Sequence, residues 1–294
     1  IIADSNAPQN QRPTVLMDAA GRPLVNIQTP SAAGVSRNTY SKFDIDGKGA
    51  VLNNSRTNNP WLTMGEAKVI LNQVNSSNPS LIAGALTVNG QKAQVVIANP
   101  SGIKIDGATF SNIQRLTLTT GTPIVENGTL AGFNISRGHI SVLAKGLNAL
   151  GTDYTEILSR SASIAGRVDA ISVDVTTGSN SFDYQNGSID INESSGTAPT
   201  LAIDTSALGG MYAGSINLLS TEAGVGVRNA GILQAHGIAG QLFITADGRL
   251  ENTGSLDAKV TSLATVSGNI DNKGTIQGDQ VVAINSGADF LHSG

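Results

Sequence analysis

The sequence predicts an all-β fold: a right-handed parallel β-helix, a solenoid of ~20-residue coils, with an N-terminal β cap and extrahelical hairpins. Three observations lead there. The first is a recurrence near the C-terminus. Asn229-Ala230-Gly231-Ile232-Leu233-Gln234-Ala235 returns as Asn252-Thr253-Gly254-Ser255-Leu256-Asp257-Ala258, and again as Asn272-Lys273-Gly274-Thr275-Ile276-Gln277-Gly278. The step from 229 to 252 is 23 residues, and from 252 to 272 it is 20. An apolar residue stands two before each Asn (Val227, Leu250, Ile270) and four after it (Leu233, Leu256, Ile276). The second is texture. The chain has 34 Gly and only 4% aromatic residues, with short Val/Ile/Leu runs between Ser, Thr, Asn and Gly, which suits many short strands and many turns. The third is that no sustained i, i+3, i+4, i+7 apolar pattern runs from residue 50 onward. A weak one at 66–74 also alternates (Ala67, Val69, Leu71), and it is read as strand.

Strands of four to six residues cannot bury their inward face alone, so each coil must stack on the next. Stacking sets equivalent residues about 4.8 Å apart, and like residues then form ladders. Asn229, Asn252 and Asn272 are expected to form such a ladder, each amide donating to the next coil, with Gly231, Gly254 and Gly274 marking the corner. Right-handedness follows from the chirality of parallel crossovers. Ten or more coils give a body of roughly 50–60 Å.

Taken in order, residues 1–12 are polar and read as an extended arm. Residues 14–27 form a hairpin pattern around Ala20-Gly21-Arg22-Pro23. Residues 40–52 look similar, with Phe43 and Ile45 alternating before the turn Gly47-Lys48-Gly49. These pieces read as a cap over the open end of the stack, where exposed strand edges need cover. Residues 1–294 are expected to be one domain, with arm and cap at 1–52 and β-helix at 53–294. In the middle, Asn127-Gly128-Thr129-Leu130 and Asn186-Gly187-Ser188-Ile189 are hairpin signals or weak echoes of the repeat. Segments 176–187 and 193–199 read as insertions leaving the helical body. The end reads as a coil cut part-way. Phe290 fills the apolar slot, His292 stands where the Asn ladder would continue, and Gly294 takes the glycine slot.

Little here suggests chemistry. The 18 Lys and Arg are scattered and the formal charge is −4, which gives no patch for nucleic acid. There are no cysteines, and no apolar run reaches the roughly 18 residues of a membrane span. His139, His236 and His292 lack metal-ligand spacing, and no P-loop, GxSxG or GxGxxG occurs. Asp174, Asp183 and Asp190 invite comparison with a carboxylate cluster in a β-helical lyase. The nearby bases Arg160 and Arg167 do not repeat at coil spacing, and no aromatic or charged stripe is visible. Trp61 and Tyr40 read as cap packing. The expectation is therefore a non-enzyme with no metal, cofactor or small-molecule substrate, and a monomer.

Three Asn-Pro corners stand out: Asn59-Pro60-Trp61-Leu62, Asn78-Pro79-Ser80-Leu81 and Asn99-Pro100-Ser101-Gly102-Ile103. Pro fixes φ and donates no hydrogen bond, Asn can bond its own backbone, and Gly102 can take positive φ, so each marks a turn between strands. The stretch from Leu52 to Gly121 resembles the secretion domain of two-partner secretion (TPS) exoproteins of the filamentous haemagglutinin type. Asn78 to Leu81 and Asn99 to Ile103 match that family's two Asn-Pro motifs. The runs Gly65-Glu66-Ala67-Lys68-Val69-Ile70-Leu71-Asn72-Gln73-Val74-Asn75 and Gly90-Gln91-Lys92-Ala93-Gln94-Val95-Val96-Ile97-Ala98-Asn99-Pro100 resemble the contact-dependent growth inhibition branch. Where many relatives carry a cysteine pair, this chain reads Ile105-Asp106-Gly107-Ala108.

The resemblance implies a secretion-targeting module of a large exported adhesin or toxin, secreted or held at the surface of a Gram-negative bacterium. It implies a partner outer-membrane transporter of the Omp85/TpsB type, whose periplasmic POTRA domains read the extended chain. It makes Asn78, Pro79, Leu81, Asn99, Pro100, Gly102 and Ile103 the candidate recognition or folding residues. The competing expectation is an adhesive β-helix that binds a host glycan or receptor directly.

Overall fold

The computed structural model describes residues 1–193 and 196–293. Ser194 and Ser195, inside the 193–199 segment, and Gly294, assigned to the glycine slot, lie outside the described residues. The fold is a right-handed parallel β-helix of three parallel faces. Face one has nine strands: Ser80–Ile82, Ile103–Ile105, His139–Val142, Ser161–Ile164, Leu201–Thr205, Gly226–Asn229, Leu250–Asn252, Ile270–Asn272 and Phe290–His292. One column on this face runs Ile82, Ile105, Val142, Ile164, Thr205, Asn229, Asn252, Asn272, His292. Successive differences along these positions are 23, 37, 22, 41, 24, 23, 20 and 20 residues. The two long coils are those that carry the extrahelical hairpins. They consume chain without adding height, so the stack comes to about 45 Å, shorter than a uniform 20-residue period implies.

Face two opens with Pro23–Asn26 and continues through Ala50–Asn54, Ala85–Gly90 and the strands above them. Face three opens with Val35–Lys42 and continues through Val69–Val74, Ala93–Ala98, Ile113–Thr119, Thr152–Ser159, Ser172–Thr177, Ser215–Ser220 and Gln241–Ala246. Ser255–Thr265 and Thr275–Asn285 each run round the corner between faces two and three without a break. Inside, one continuous core fills the prism, with Ile70, Ile97, Ile103, Ile105, Leu118, Ile157, Leu233, Leu256 and Ile270 fully buried. Each such side chain contributes about 1.5–3 kcal/mol. No coil can collect that alone, because its partners lie on the coils above and below.

At the corner between faces one and two, Gly231, Gly254 and Gly274 stand over one another. A Cβ on Gly254 would meet the Gly231 carbonyl oxygen at 2.0 Å, and one on Gly274 the Gly254 oxygen at 2.0 Å. Close approach of backbones excludes any other residue there. Beside them, Asn229 Nδ2 donates to Asn252 Oδ1 at 2.8 Å and Asn252 Nδ2 to Asn272 Oδ1 at 2.6 Å, and Asn272 Nδ2 meets His292 Nδ1 at 2.8 Å.

The N-terminal region differs from the sequence reading in two ways. The arm is not free: Ile2–Ala3 pairs antiparallel with Val35–Lys42, and Ile1 packs on the core. Residues 40–52 are not a hairpin. Val35–Lys42 lies parallel to Val69–Val74, Ile45 bridges to Ile82, and Ala50–Asn54 lies parallel to Ala85–Gly90. The turn at Asp46 to Gly49, with Gly49 at φ 85°, swings the chain to the next face and does not reverse it. Parallel stacking thus reaches back to residue 23, well before residue 53. Thr14–Met17 and Pro23–Asn26 do form an antiparallel hairpin.

Two further hairpins, Thr122–Glu126 with Thr129–Ile135 and Asn180–Asp183 with Ile189–Ile191, join into one four-stranded antiparallel sheet. Asn127 and Gly128 take φ 50° and 78°, the conformation a tight hairpin turn needs. The sheet lies on the outer side of face three. Leu130, Phe133, Ile135, Phe182 and Tyr184 cover Leu71, Val96, Ala98 and Leu158 there as a second, smaller core.

Candidate functional site

The Asn78 and Asn99 corners lie on one edge of the prism, where face three turns into face one, on successive coils. Ser80 pairs with Ile103 just after them. Asn99 is fully buried. Its Nδ2 donates to the Asn78 carbonyl and to Ser80 Oγ, both at 3.0 Å. Its Oδ1 accepts from Ser101 N at 2.9 Å, and its carbonyl accepts from Gly102 N at 2.9 Å. Ser101 Oγ reaches the Ser76 carbonyl at 2.8 Å. Gly102 is buried at φ 112°, and a Cβ there would meet the His139 carbonyl oxygen at 2.9 Å. Ile103 is buried and Pro100 half-buried. The later corner is therefore a strut that ties one coil to the coil before it.

The Asn78 corner is built otherwise. Asn78, Pro79 and Leu81 are exposed, and only Ser80 is buried. The Asn78 carbonyl receives Ser76 Oγ and Asn99 Nδ2, while its side chain makes no hydrogen bond among the described residues. Leu81 N donates to Asp44 Oδ1 at 2.9 Å, and Asp44 pairs with Lys42. A hollow of about 200 Å³ between Lys42, Asp44, Val74 and Asn78 opens beside the turn. The third corner sits on another edge and resembles Asn99: Asn59 is buried, donates to Ile27 and Asn53 carbonyls, and accepts from Trp61 N. Tyr40 is buried edge-on to Phe43 and donates to Asn72, whereas Trp61 is exposed and donates to Thr14 Oγ1. In the Asp106-Gly107 loop, Lys145 N donates to Asp106 Oδ1 and Gly107 N to the Gly146 carbonyl.

A second polar site emerges that the sequence did not disclose. On the outer side of face three the column Leu71, Val96, Thr117, Glu156, Asp174, Asn217 runs from coil to coil. Its steps from 117 onward are 39, 18 and 43 residues (to 156, 174 and 217), so no period betrays it. Glu156 is buried and accepts from Arg115 Nη2 at 2.9 Å and Thr117 Oγ1 at 2.9 Å. The Arg115 guanidinium lies 4.0 Å from the Tyr184 ring centre and 5.7 Å from that of Tyr154. Tyr154 OH donates to Asp174 Oδ2 at 2.6 Å. Burial pushes the Glu156 and Asp174 carboxyls above their usual range despite these partners. Burial also pushes the Tyr184 phenol up to about 12. Burial opposes the Arg115 cation, and Glu156 with the two tyrosines outweighs it, so the arginine is held more firmly charged.

The imagined carboxylate cluster is not assembled. Asp174 faces this cleft, Asp183 caps its own hairpin turn through Gln185 N and Asn186 N, and Asp190 is exposed. Arg160 pairs with Glu222, and Arg167 with Asp169 while stacking on Tyr212. Among the described residues no group of three His, Asp or Glu is placed to hold a metal.

The TPS secretion domain family matches residues 1–252. The chain belongs to that family. It is 46% identical over 290 residues to Toxin CdiA of Yersinia pestis, covering 95% of this chain and 9% of that protein. It is 43% identical over 259 residues to tRNA nuclease CdiA-2 of Burkholderia pseudomallei, covering 84% of this chain and 8% of that one. The chain thus spans less than a tenth of the curated relatives it matches, and the region matched is the secretion domain. A solved filamentous hemagglutinin secretion domain is 28% identical with a TM-score of 0.78, covering 99% of each chain.

Proposed function

We propose that this domain targets a longer exoprotein for export, and that a TpsB-type outer-membrane transporter of the Omp85 class reads it through its periplasmic POTRA domains before it folds. The family match over residues 1–252 is the observation that supports this reading. The likeness to toxin relatives favours a contact-dependent growth inhibition effector as the parent protein, secreted or carried on the surface of a Gram-negative cell. The nuclease names belong to those relatives and attach to no residue cluster of this domain.

The β-helix suits such a role physically. Its stability resides in contacts between coils, so the unfolded chain that crosses the membrane holds most of its folding free energy in reserve. Coils that stack outside one after another then draw the chain outward without ATP. Two classes of motif residue divide the work: Asn99, Gly102 and Ile103 make the fold, and Asn78, Pro79 and Leu81 remain exposed. The test is export of residues 1–294 behind a signal peptide, with the partner transporter present or deleted. Accumulation in the medium only when the transporter is present is expected. Equal accumulation without it would sink the reading.

A further inference from the structure

We infer that the cleft between face three and the second extrahelical hairpin is a binding site for a neutral saccharide. The inference is independent of the export reading. The cleft holds about 520 Å³, within the usual range of small-ligand sites. Its floor is Glu156, Asp174 and Asn217 on three successive coils, and its roof is the turn at 185–187 with Phe182 and Ile189.

The column itself carries the argument. Its earlier members, Leu71 and Val96, are buried; Leu71, Val96 and their neighbours pack closely under the extrahelical sheet. That is the cheapest way to hold a hairpin against a β-helix, since buried ions seldom add net stability. At Glu156 and Asp174 the same column turns charged, and beneath the second hairpin the space is left open. Packing does not require this. Arg115 lines the cleft too, and its Nε is a buried donor with no partner among the described residues.

The lining also selects a class of ligand. The place a ligand cation would take, over the rings of Tyr154 and Tyr184, is filled by the guanidinium of Arg115. An anion would meet both Glu156 and Asp174. A neutral polyol meets neither obstacle, because each hydroxyl both donates and accepts. The Asp174 carboxyl and the amides of Asn217, Gln185 and Asn186 line the cleft and supply both kinds of partner. Phe182 and Leu219 offer apolar surface to the C–H face of a pyranose ring.

The test is saturation-transfer NMR on the 294-residue chain with maltose, chitobiose and N-acetyllactosamine, and with lysine, glutamate and sialic acid for comparison. Transfer to at least one neutral disaccharide is expected. Asn217→Ala should weaken that binding about tenfold, the loss of one or two hydrogen bonds, in a variant that still folds. Leu219→Trp, which fills the cleft, should abolish it. If that variant does not fold, Asn186→Ala on the exposed roof replaces it and should again weaken binding. Transfer to none of the neutral sugars overturns the inference. So does transfer to the charged compounds alone, or binding untouched by the folded cleft variants.

Discussion

Asn99 and Asn78 open the same dipeptide on successive coils of one edge, yet the first is buried in bonds and the second projects from the surface. Local chemistry cannot explain this, since both precede Pro-Ser. The difference lies in what stands below each. Asn99 has beneath it the Asn78 carbonyl and Ser80 Oγ, two acceptors at 3.0 Å. Asn78 instead stands beside a hollow lined by Ser41, Lys42, Phe43 and Asp44, and its side chain makes no hydrogen bond among the described residues. In a solenoid a residue's role is set by its neighbour one coil away as much as by its own turn. A motif can therefore hold a folding residue and an exposed residue under one spelling.

Four substitutions and one control probe that contrast. Asn99→Ala should cost about 2–4 kcal/mol in reversible chemical unfolding, because buried groups on two coils lose their partner. A loss under about 1 kcal/mol would erase the distinction between the corners. Gly102→Ala should cost about 1–3 kcal/mol, from positive φ and from the His139 carbonyl 2.9 Å from the new Cβ. Ser101→Ala removes one bond to the Ser76 carbonyl and should cost about 1 kcal/mol.

The control lies outside both corners and should act with opposite sign. The Asp174 carboxyl is raised by burial above its ordinary 3.8. A carboxyl raised on folding favours the fold below the unfolded value, and that contribution is lost as pH rises through the folded value. Asp174→Asn should thus unfold at a higher temperature than the parent at pH 7, with the gain vanishing near pH 4. A gain that persists at pH 4 would show that charge is not its cause. Asn78→Ala should change stability by less than about 0.5 kcal/mol, as expected for a side chain outside the bonded network.

Much of the fold was legible in the chain. Asn229, Asn252 and Asn272 display their period because the last coils are free of insertions. The Asn127-Gly128 and Asn186-Gly187 hairpins are marked by turn residues whose conformational demand is local. Residues 40–52 were misleading because a turn that moves the chain to the next face uses the same glycines as one that reverses it. The cleft was illegible for a different reason. Glu156, Asp174 and Asn217 are neighbours only through register: a plain coil separates the first two by 18 residues, and the second hairpin stretches the next step to 43. The absence of a charged stripe in the sequence was an effect of counting along the chain. Arg115 gave no signal of its own, since a lone arginine between Gln114 and Leu116 fits any exposed strand.

The most direct test of the account is to measure export and stability together for Asn78→Ala in the parent exoprotein with its transporter. If the transporter reads the Asn78 motif in the unfolded chain, exoprotein in the medium should fall several-fold while the unfolding free energy of the isolated domain, in which that side chain is unbonded, stays within about 0.5 kcal/mol of the parent. Export at the parental level, with stability equally unchanged, would contradict the account and remove Asn78 from the mechanism.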